Sequence, residues 1–213
     1  MEATRIIAVR HGETAWNVAG RVQGHLDIAL NDKGRWQASQ TAQALASESI
    51  AAIYSSDLLR AWETALSIAD ACGLPVATHI GLRERHFGHF EGKTFEEVAA
   101  IWPGEAQRWR TRESDFAPLG GGESLVMVQT RVVAAVCALA AAHAGQQIVV
   151  VTHGGALDAL HRAATGQSLQ APRTWALGNA AINRLLWSPA GLTLVGWSDT
   201  QHLDEQSVDE VSA

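Results

Sequence analysis

A guanidinium, an imidazole and a flexible glycine stand in a row at Arg10-His11-Gly12, followed by Glu13-Thr14 and, beyond Trp16, by Asn17. That combination suits an oxyanion. The arginine fork matches phosphate geometry, and glycine lets backbone N–H groups come close to a ligand. An imidazole with an ordinary pKa of ~6.5 is largely neutral at pH 7 and is a competent nucleophile. Arg60 falls in the first turn of an expected helix, where free N–H groups and the helix dipole favour an anion. His153, followed by Gly154-Gly155, ends a second apolar run and supplies another donor. Phosphoryl transfer asks for little beyond such positioning and charge neutralisation, plus an acid for the leaving oxygen. The best acid is Glu84, in Leu82-Arg83-Glu84-Arg85-His86-Phe87-Gly88, after an expected strand and beside aromatic residues that raise a carboxyl pKa.

Each residue alone has a plainer reading. His11 or His153 could merely cap a strand end. Arg60 could be a solvated side chain on a capped helix, and Arg83-Glu84-Arg85 an exposed charge run. His79, His86 and His89 invite a metal reading but lack a tight pattern of the His-Glu-x-x-His kind. Trp102 and Trp109 read as packing rather than as a ligand cage. The joint placement of two histidines at strand ends favours a shared site.

The elements that must position these groups are legible from periodicity. Residues 5–9 form a β-branched run that ends at Arg10-His11-Gly12, and residues 147–151 form another that ends at Thr152-His153. Further strands are expected at 51–54 and 76–80. Residues 181–187 and 192–197 should form a hairpin around Ser188-Pro189-Ala190-Gly191. A helix is expected over 31–48 after the cap candidates Asn31-Asp32. A second should follow the capping cluster Ser55-Ser56-Asp57, with Ala61, Ala65, Ile68 and Cys72 on one face and Gly73 and Pro75 as its stop. Leu125, Val128, Val132, Val136 and Leu139 make one apolar stripe of a third. Between 85 and 122 periodicity is lost, which predicts a small cap insertion. The acidic tail over 199–213 reads as loose. Strands alternating with helices predict one α/β domain: a mostly parallel sheet flanked by helices on both faces, with ligands beyond the carboxyl ends of the strands.

Bulk properties narrow the partners. The chain has 213 residues, 47% of them hydrophobic, and a net charge of −6. That balance speaks against a nucleic-acid binder, which needs clustered Lys and Arg, so any anion site must be local. No run approaches a membrane span and no apolar leader stands at the N-terminus, so a cytoplasmic location is the default expectation. Cys72 and Cys137 lie in apolar helical patterns and read as buried free thiols. A homodimer is left open.

In these residues the chain resembles the histidine phosphatase superfamily, which includes cofactor-dependent phosphoglycerate mutases and several phosphatases. The matching segments are Arg10-His11-Gly12-Glu13-Thr14, Trp16-Asn17, Ser55-Ser56-Asp57-Leu58-Leu59-Arg60-Ala61, Glu84-Arg85, Phe90-Glu91-Gly92, Gly121-Gly122-Glu123-Ser124 and Thr152-His153-Gly154-Gly155. They occur in family order over roughly residues 5 to 198. The resemblance implies that His11 is the phosphorylated histidine and Glu84 the proton donor and acceptor. Arg10, Arg60 and His153 would complete the phosphate pocket. Thr14, Asn17, Gln23, Gly24 and Gly154 match substrate-contact positions. It implies no metal and a small phosphate ester as the partner.

Within that family the favoured function is hydrolysis of a small-metabolite phosphate monoester through phosphohistidine. The alternative is a phosphoglycerate mutase, which would need a 2,3-bisphosphoglycerate primer; a further one is an inactive phospho-ligand binding module. The family's mutases carry a longer insert with an adjacent arginine pair, whereas here the insert is short and Arg108, Arg110 and Arg112 alternate. The sequence therefore predicts no second anion clamp, and it puts specificity within residues 93–119.

Overall fold

The computed structural model describes residues 2–204. Its centre is two parallel neighbours, β1 (Thr4–Arg10) and β4 (Gln147–Thr152), paired in register from Arg5 opposite Gln147 to Arg10 opposite Thr152. Every residue of β4 is buried, as a strand covered on both faces must be, and its isoleucine and valines suit that setting. β2 (Ala52–Ser55) pairs parallel with β4, and β3 (Val76–Thr78) parallel with β2. On the other side β5 (Ile182–Ser188) and β6 (Gly191–Asp199) form an antiparallel hairpin on β1, giving the order β3-β2-β4-β1-β5-β6. The sheet is thus parallel through β3, β2, β4 and β1 and antiparallel at the hairpin edge.

Side-chain alternation divides the core into two layers. Ile6, Ala8, Ile148 and Val150 pack against α6 (Leu125–Ala141) and α7 (Gly154–Thr165). Ile7, Val9, Val149 and Val151 face α2 (Asp32–Leu45) and α3 (Leu59–Cys72) on the opposite face. At roughly 1.5–3 kcal/mol for each large side chain removed from water, these layers dominate the fold's stability. The cap has its own small nucleus of Phe90, Val98, Ala106 and Phe116. It is built around α4 (Phe95–Ile101) and α5 (Pro103–Arg110), with Trp102 and Trp109 packed on it.

Three expectations need correction. The helix at Arg60 is not capped by its own Ser55-Ser56-Asp57 cluster: its N-cap is Leu58, which makes no side-chain bond, and the Leu59 N–H donates instead to Asp27 Oδ1 at 2.6 Å. A distant loop does the capping, which no local pattern announces. Residues 199–204 are not loose. β6 runs to Asp199, and a 3₁₀ turn at Gln201–Leu203 carries His202, whose Nε2 lies 3.1 Å from both Thr41 Oγ1 and the Ala180 carbonyl. The remainder of the expected tail, 205–213, lies outside the described residues. Finally, α7 and the short α1 (Ala15–Val18) are absent from the periodicity reading. Among the described residues no helix is long and apolar enough to cross a membrane.

Candidate active site

Because β1 and β4 end side by side, the residues that follow them meet. The His11 N–H donates to the Thr152 carbonyl at 3.0 Å, and the His11 and His153 rings stand 5.2 Å apart between centroids. Both side chains are buried, at 2% and 0% exposure. The turn after His11 is held by close backbone approach: a Cβ on Gly12 would lie 2.4 Å from the Gly34 carbonyl oxygen, and one on Gly34 would lie 2.0 Å from that of Glu13. Any side chain at either position would push α2 off the loop. The Gly12 N–H donates to Thr64 Oγ1 at 3.0 Å, which ties the loop to α3 as well.

His11 Nδ1 lies 2.7 Å from the Gly12 carbonyl oxygen. A carbonyl only accepts, so Nδ1 carries the proton and Nε2 keeps its lone pair. Burial, then the charges of Arg60 and Arg10, hold the His11 pKa well below its usual 6.5, against a smaller upward pull from the Gly12 carbonyl. His153 is held well below 6.5 in the same way, first by burial and then by Arg60, His11 and Arg10. Both imidazoles are neutral at pH 7.

The two arginines are pinned from behind. Arg60, 1% exposed, donates to the Leu26 carbonyl at 2.9 Å and to that of Gly24 at 2.7 Å, and Arg10 Nη1 donates to the Leu177 carbonyl. Burial lowers the Arg60 pKa to about 10, which leaves it charged. Arg10 Nε, Arg60 Nε and both ring nitrogens of His153 are buried without a partner among the described residues. Unsatisfied buried polar atoms are scarce in folded proteins and call for an explanation. Here they surround a single imidazole, and a tetrahedral oxyanion is the ligand that would satisfy them.

Glu84 reaches this group from the segment after β3. Its Oε2 accepts from the Gly155 N–H at 3.0 Å and its Oε1 from the Arg85 N–H at 2.7 Å. A Cβ on Gly155 would sit 2.3 Å from Oε1, so the second glycine of the pair is what admits the acid. A Cβ on Gly154, by contrast, would meet Arg10 Nε at an ordinary 3.6 Å. Behind Glu84 stands Arg131 of α6, which the sequence analysis missed. Its guanidinium donates to the carbonyls of Gly81 (3.0 Å), Arg83 (3.0 Å) and Glu84 (3.1 Å), and it is bidentate to Glu123 at 2.7 Å for each bond. His25 Nε2 donates to the same Glu84 carbonyl at 2.8 Å, and the Thr152 hydroxyl donates to that of Leu82 at 2.7 Å.

Thr14, Asn17 and Gln23 meet beside His11. Thr14 N-caps α1 in a reciprocal bond with Asn17, and its hydroxyl donates to Gln23 Oε1 at 3.0 Å. Asn179, also missed, donates to the His11 carbonyl at 3.0 Å, with longer contacts to Gly12 O and Asn17 Oδ1 at 3.3 Å. Gly24 has φ +52°, and its carbonyl receives Arg60. His79, His86 and His89 do not converge, and among the described residues no three His, Cys, Asp or Glu side chains are grouped to hold a metal ion.

Adjoining Arg10 and Gly154-Gly155 is a cavity of about 380 Å³. Its wall comes partly from the cap (Phe87, Trp109, Arg112) and partly from the segment after α7 (Leu169, Arg173, Trp175). Of the residues lining this cavity, only Trp109 and Arg112 fall within the 93–119 segment expected to carry specificity; the rest of the wall is folded in from elsewhere. Against the expectation of no second anion clamp, Arg85, Arg112 and Arg173 line the same space, although Arg112 is already paired with Asp158. Of the alternating arginines, Arg108 pairs with Glu113 and Arg110 with the Gln107 side chain, and only Arg112 turns inward.

The fold and this pocket define an α/β protein that presents a neutral histidine and two fixed guanidiniums at the ends of adjacent parallel strands. The chain belongs to the histidine phosphatase superfamily (branch 1), whose family model matches residues 6–200. It is 39% identical over 208 residues to phosphoglycerate mutase-like protein 4 of Arabidopsis thaliana, covering 96% of this chain and 89% of that one. It is also 39% identical over 204 residues to a metal-independent phosphoserine phosphatase of the same plant, covering 95% and 84%. Among solved structures it resembles a mycobacterial glucosyl-3-phosphoglycerate phosphatase, with a TM-score of 0.83 and 33% identity over 93% of this chain and 100% of that one.

Proposed function

We propose that this chain hydrolyses phosphate monoesters of small metabolites in two steps at His11. In the first, the Nε2 lone pair forms a bond to phosphorus while the ester P–O bond breaks, and the Glu84 carboxyl gives its proton to the departing oxygen. In the second, Glu84 takes a proton from water as the water oxygen attacks phosphorus, the N–P bond breaks, and phosphate leaves. Arg10, Arg60 and His153 neutralise and bind the transferring oxygens throughout, in a buried site where charge is poorly screened. Thr14, Asn17 and Gln23 keep the His11 loop in register beside the ester, with the Gly24 and Gly154 backbones at the pocket's edge. The observation that carries this reading is the His11 tautomer: a Gly12 carbonyl on Nδ1 leaves the other nitrogen free and unprotonated amid unpartnered cationic and neutral donors.

No step calls for a metal, since the guanidiniums and imidazoles already oppose the phosphoryl charge. Two unpaired cysteines, Cys72 and Cys137, agree with the cytoplasm as its compartment. A second reading, a phosphoglycerate mutase primed by 2,3-bisphosphoglycerate, is favoured by the mutase-like relative and by the extra arginines in the adjoining cavity. An inactive binding module fits less well, because His11, Arg10, Arg60, Glu84 and His153 are all intact. The deciding experiment measures free phosphate from simple monoesters alongside an enolase-coupled isomerisation assay with primer. Dominant phosphate release is expected. Isomerisation much faster than release would install the mutase in its place.

A further inference from the structure

The chain as a whole is acidic, yet one small cavity collects four arginines, Arg10, Arg85, Arg112 and Arg173, against a single carboxylate, Asp158. Three of the four are accounted for. Arg10 belongs to the phosphate pocket. Arg85 is buried, donates to the Glu123 carbonyl at 2.8 Å and the Phe116 carbonyl at 3.1 Å, and lies 5.1 Å from the Phe87 ring centre. Arg112 is pinned between Asp158 Oδ2 at 2.7 Å and the Leu169 carbonyl at 2.9 Å, and Asp158 is further shared with Arg162 at 3.0 Å. Asp158 Oδ2 is thus shared by two guanidiniums, Oδ1 is buried without a partner among the described residues, and neither oxygen is bonded to Arg85 or Arg173.

Arg173 is different. It makes no hydrogen bond or ion pair with any described residue, although its positive charge stands near enough to Arg10 to lower that guanidinium's pKa. Glu84 offsets that effect at Arg10, but among the described residues no carboxylate pairs with Arg173, so an anion held between the two guanidiniums would be attracted by both. The side chain is exposed, but the backbone carrying it is held. Trp175, two residues on, stacks on His161 with centroids 3.8 Å apart, and its ring centre lies 4.7 Å from the Arg162 guanidinium. Arg162 also donates to the carbonyls of Ser168 and Ala171. A free guanidinium on an anchored segment, lining one cavity with Arg10, Trp109, Leu125, Leu169 and Trp175, is an arrangement for a ligand with two anionic groups and carbon between.

We propose that Arg173 selects the substrate: it binds a second anionic group, carboxylate or phosphate, on the leaving group of an ester whose transferring phosphoryl sits between Arg10 and His11. This rests on the hydrolase reading above and adds the substrate class to it. The volume fits a leaving group of a few carbons up to a single sugar ring.

The test compares wild type, R173A and R173K on 3-phosphoglycerate and O-phosphoserine (carboxylate arm), fructose 1,6-bisphosphate (phosphate arm), and glycerol 2-phosphate with p-nitrophenyl phosphate (no second anion). A charge-assisted hydrogen bond to a site of this kind is worth a factor of roughly 10–100. R173A should therefore raise KM by about that factor for whichever anionic arm the wild type prefers, with little change in kcat. kcat/KM for the uncharged leaving groups should stay within about twofold, and R173K should recover part of the loss. Equal losses on p-nitrophenyl phosphate would overturn the proposal by making Arg173 a ligand of the transferring phosphoryl. No loss on any substrate would overturn it too. Calorimetric binding of 3-phosphoglycerate, fructose 1,6-bisphosphate and glycerol 2-phosphate to H11A and to H11A/R173A asks the same question without turnover. Weaker binding of an anionic ligand alone supports Arg173, and no difference overturns it. If the wild type hydrolyses nothing while this binding difference persists, the hydrolase reading has failed and the anion site stands.

Discussion

The proposed phosphate pocket and the cavity beside it share Arg10 and are built on opposite plans. In the pocket, His11, His153 and Arg60 are almost wholly buried and sit on the ends of β1 and β4 and the first turn of α3. The histidine backbones are locked by sheet register and by the Gly12–Gly34 approach, and the Arg60 guanidinium by the carbonyls behind it. In the cavity, Trp109, Arg112, Leu169, Arg173 and Trp175 are half-buried or exposed and come from α5, from the turn after it and from the segment beyond α7. Chemistry that tolerates little misplacement is anchored to the sheet. The contacts proposed to decide which ester enters lie on the cap and on the segment beyond α7, away from the sheet. Changes in the pocket should thus alter kcat for every ester, and changes in the cavity should alter KM for some.

The hardest test of that contrast is H11A. It should abolish turnover of all esters alike, by about 10⁴-fold or more, while the melting temperature barely moves. Wild type trapped during turnover should carry phosphate that acid removes. An acid-stable label would place the nucleophile elsewhere.

E84Q comes next. A general acid contributes roughly 10²–10⁴-fold, and that loss should appear with alkyl phosphates but be far smaller with p-nitrophenyl phosphate, whose leaving group departs without a proton. Equal losses on the two would remove Glu84 from the acid role.

R131K probes the boundary between the regions, since Arg131 touches no substrate yet holds three carbonyls of the segment carrying Glu84. A lysine cannot span them and the Glu123 carboxylate together. The expected result is a fall of about tenfold in kcat on alkyl phosphates, an unchanged KM and the same tolerance of p-nitrophenyl phosphate as E84Q. A uniform loss tracking a lower melting temperature would show that Arg131 merely supports the fold.

The smallest effect is in stability against pH. His11 and His153 have folded pKa values well below 6.5, and those of His25, His161 and His202 are lowered in the same direction, burial being the largest cause for each. As pH falls below 6.5, the unfolded chain binds protons that the folded pocket refuses. His11 and His153 each then cost up to about 1.4 kcal/mol per pH unit until the folded pKa is reached. Urea unfolding should show lower stability at pH 5.5 than at pH 7.5, and H11N/H153N should flatten that dependence. An equally steep decline in the double variant would mean that acid destabilisation arises outside the pocket.

What the sequence by itself determined is local. Two β-branched runs ending in histidine, an arginine in the first turn of an amphipathic helix and an acid after a short strand are short-range patterns, and a few consecutive residues suffice to read them. The tertiary structure alone decided that the first of those runs lies beside the second, that Asp27 caps the helix of Arg60, and that Gly155 rather than Gly154 is the glycine that must lack a side chain. It alone brought Arg131 behind Glu84, Asn179 and Gly34 behind the His11 loop, and Arg173 into the cavity that Arg10 lines. Arg131 carries its signal on the wrong scale: within its helix it is one polar residue on a half-exposed face, and its role exists only once Glu123 and the Glu84 segment are folded against it. Periodicity reports which face of an element is buried. Which distant residues share that burial is set by strand order and helix packing, and these depend on contacts too far apart in the chain for any local pattern to encode.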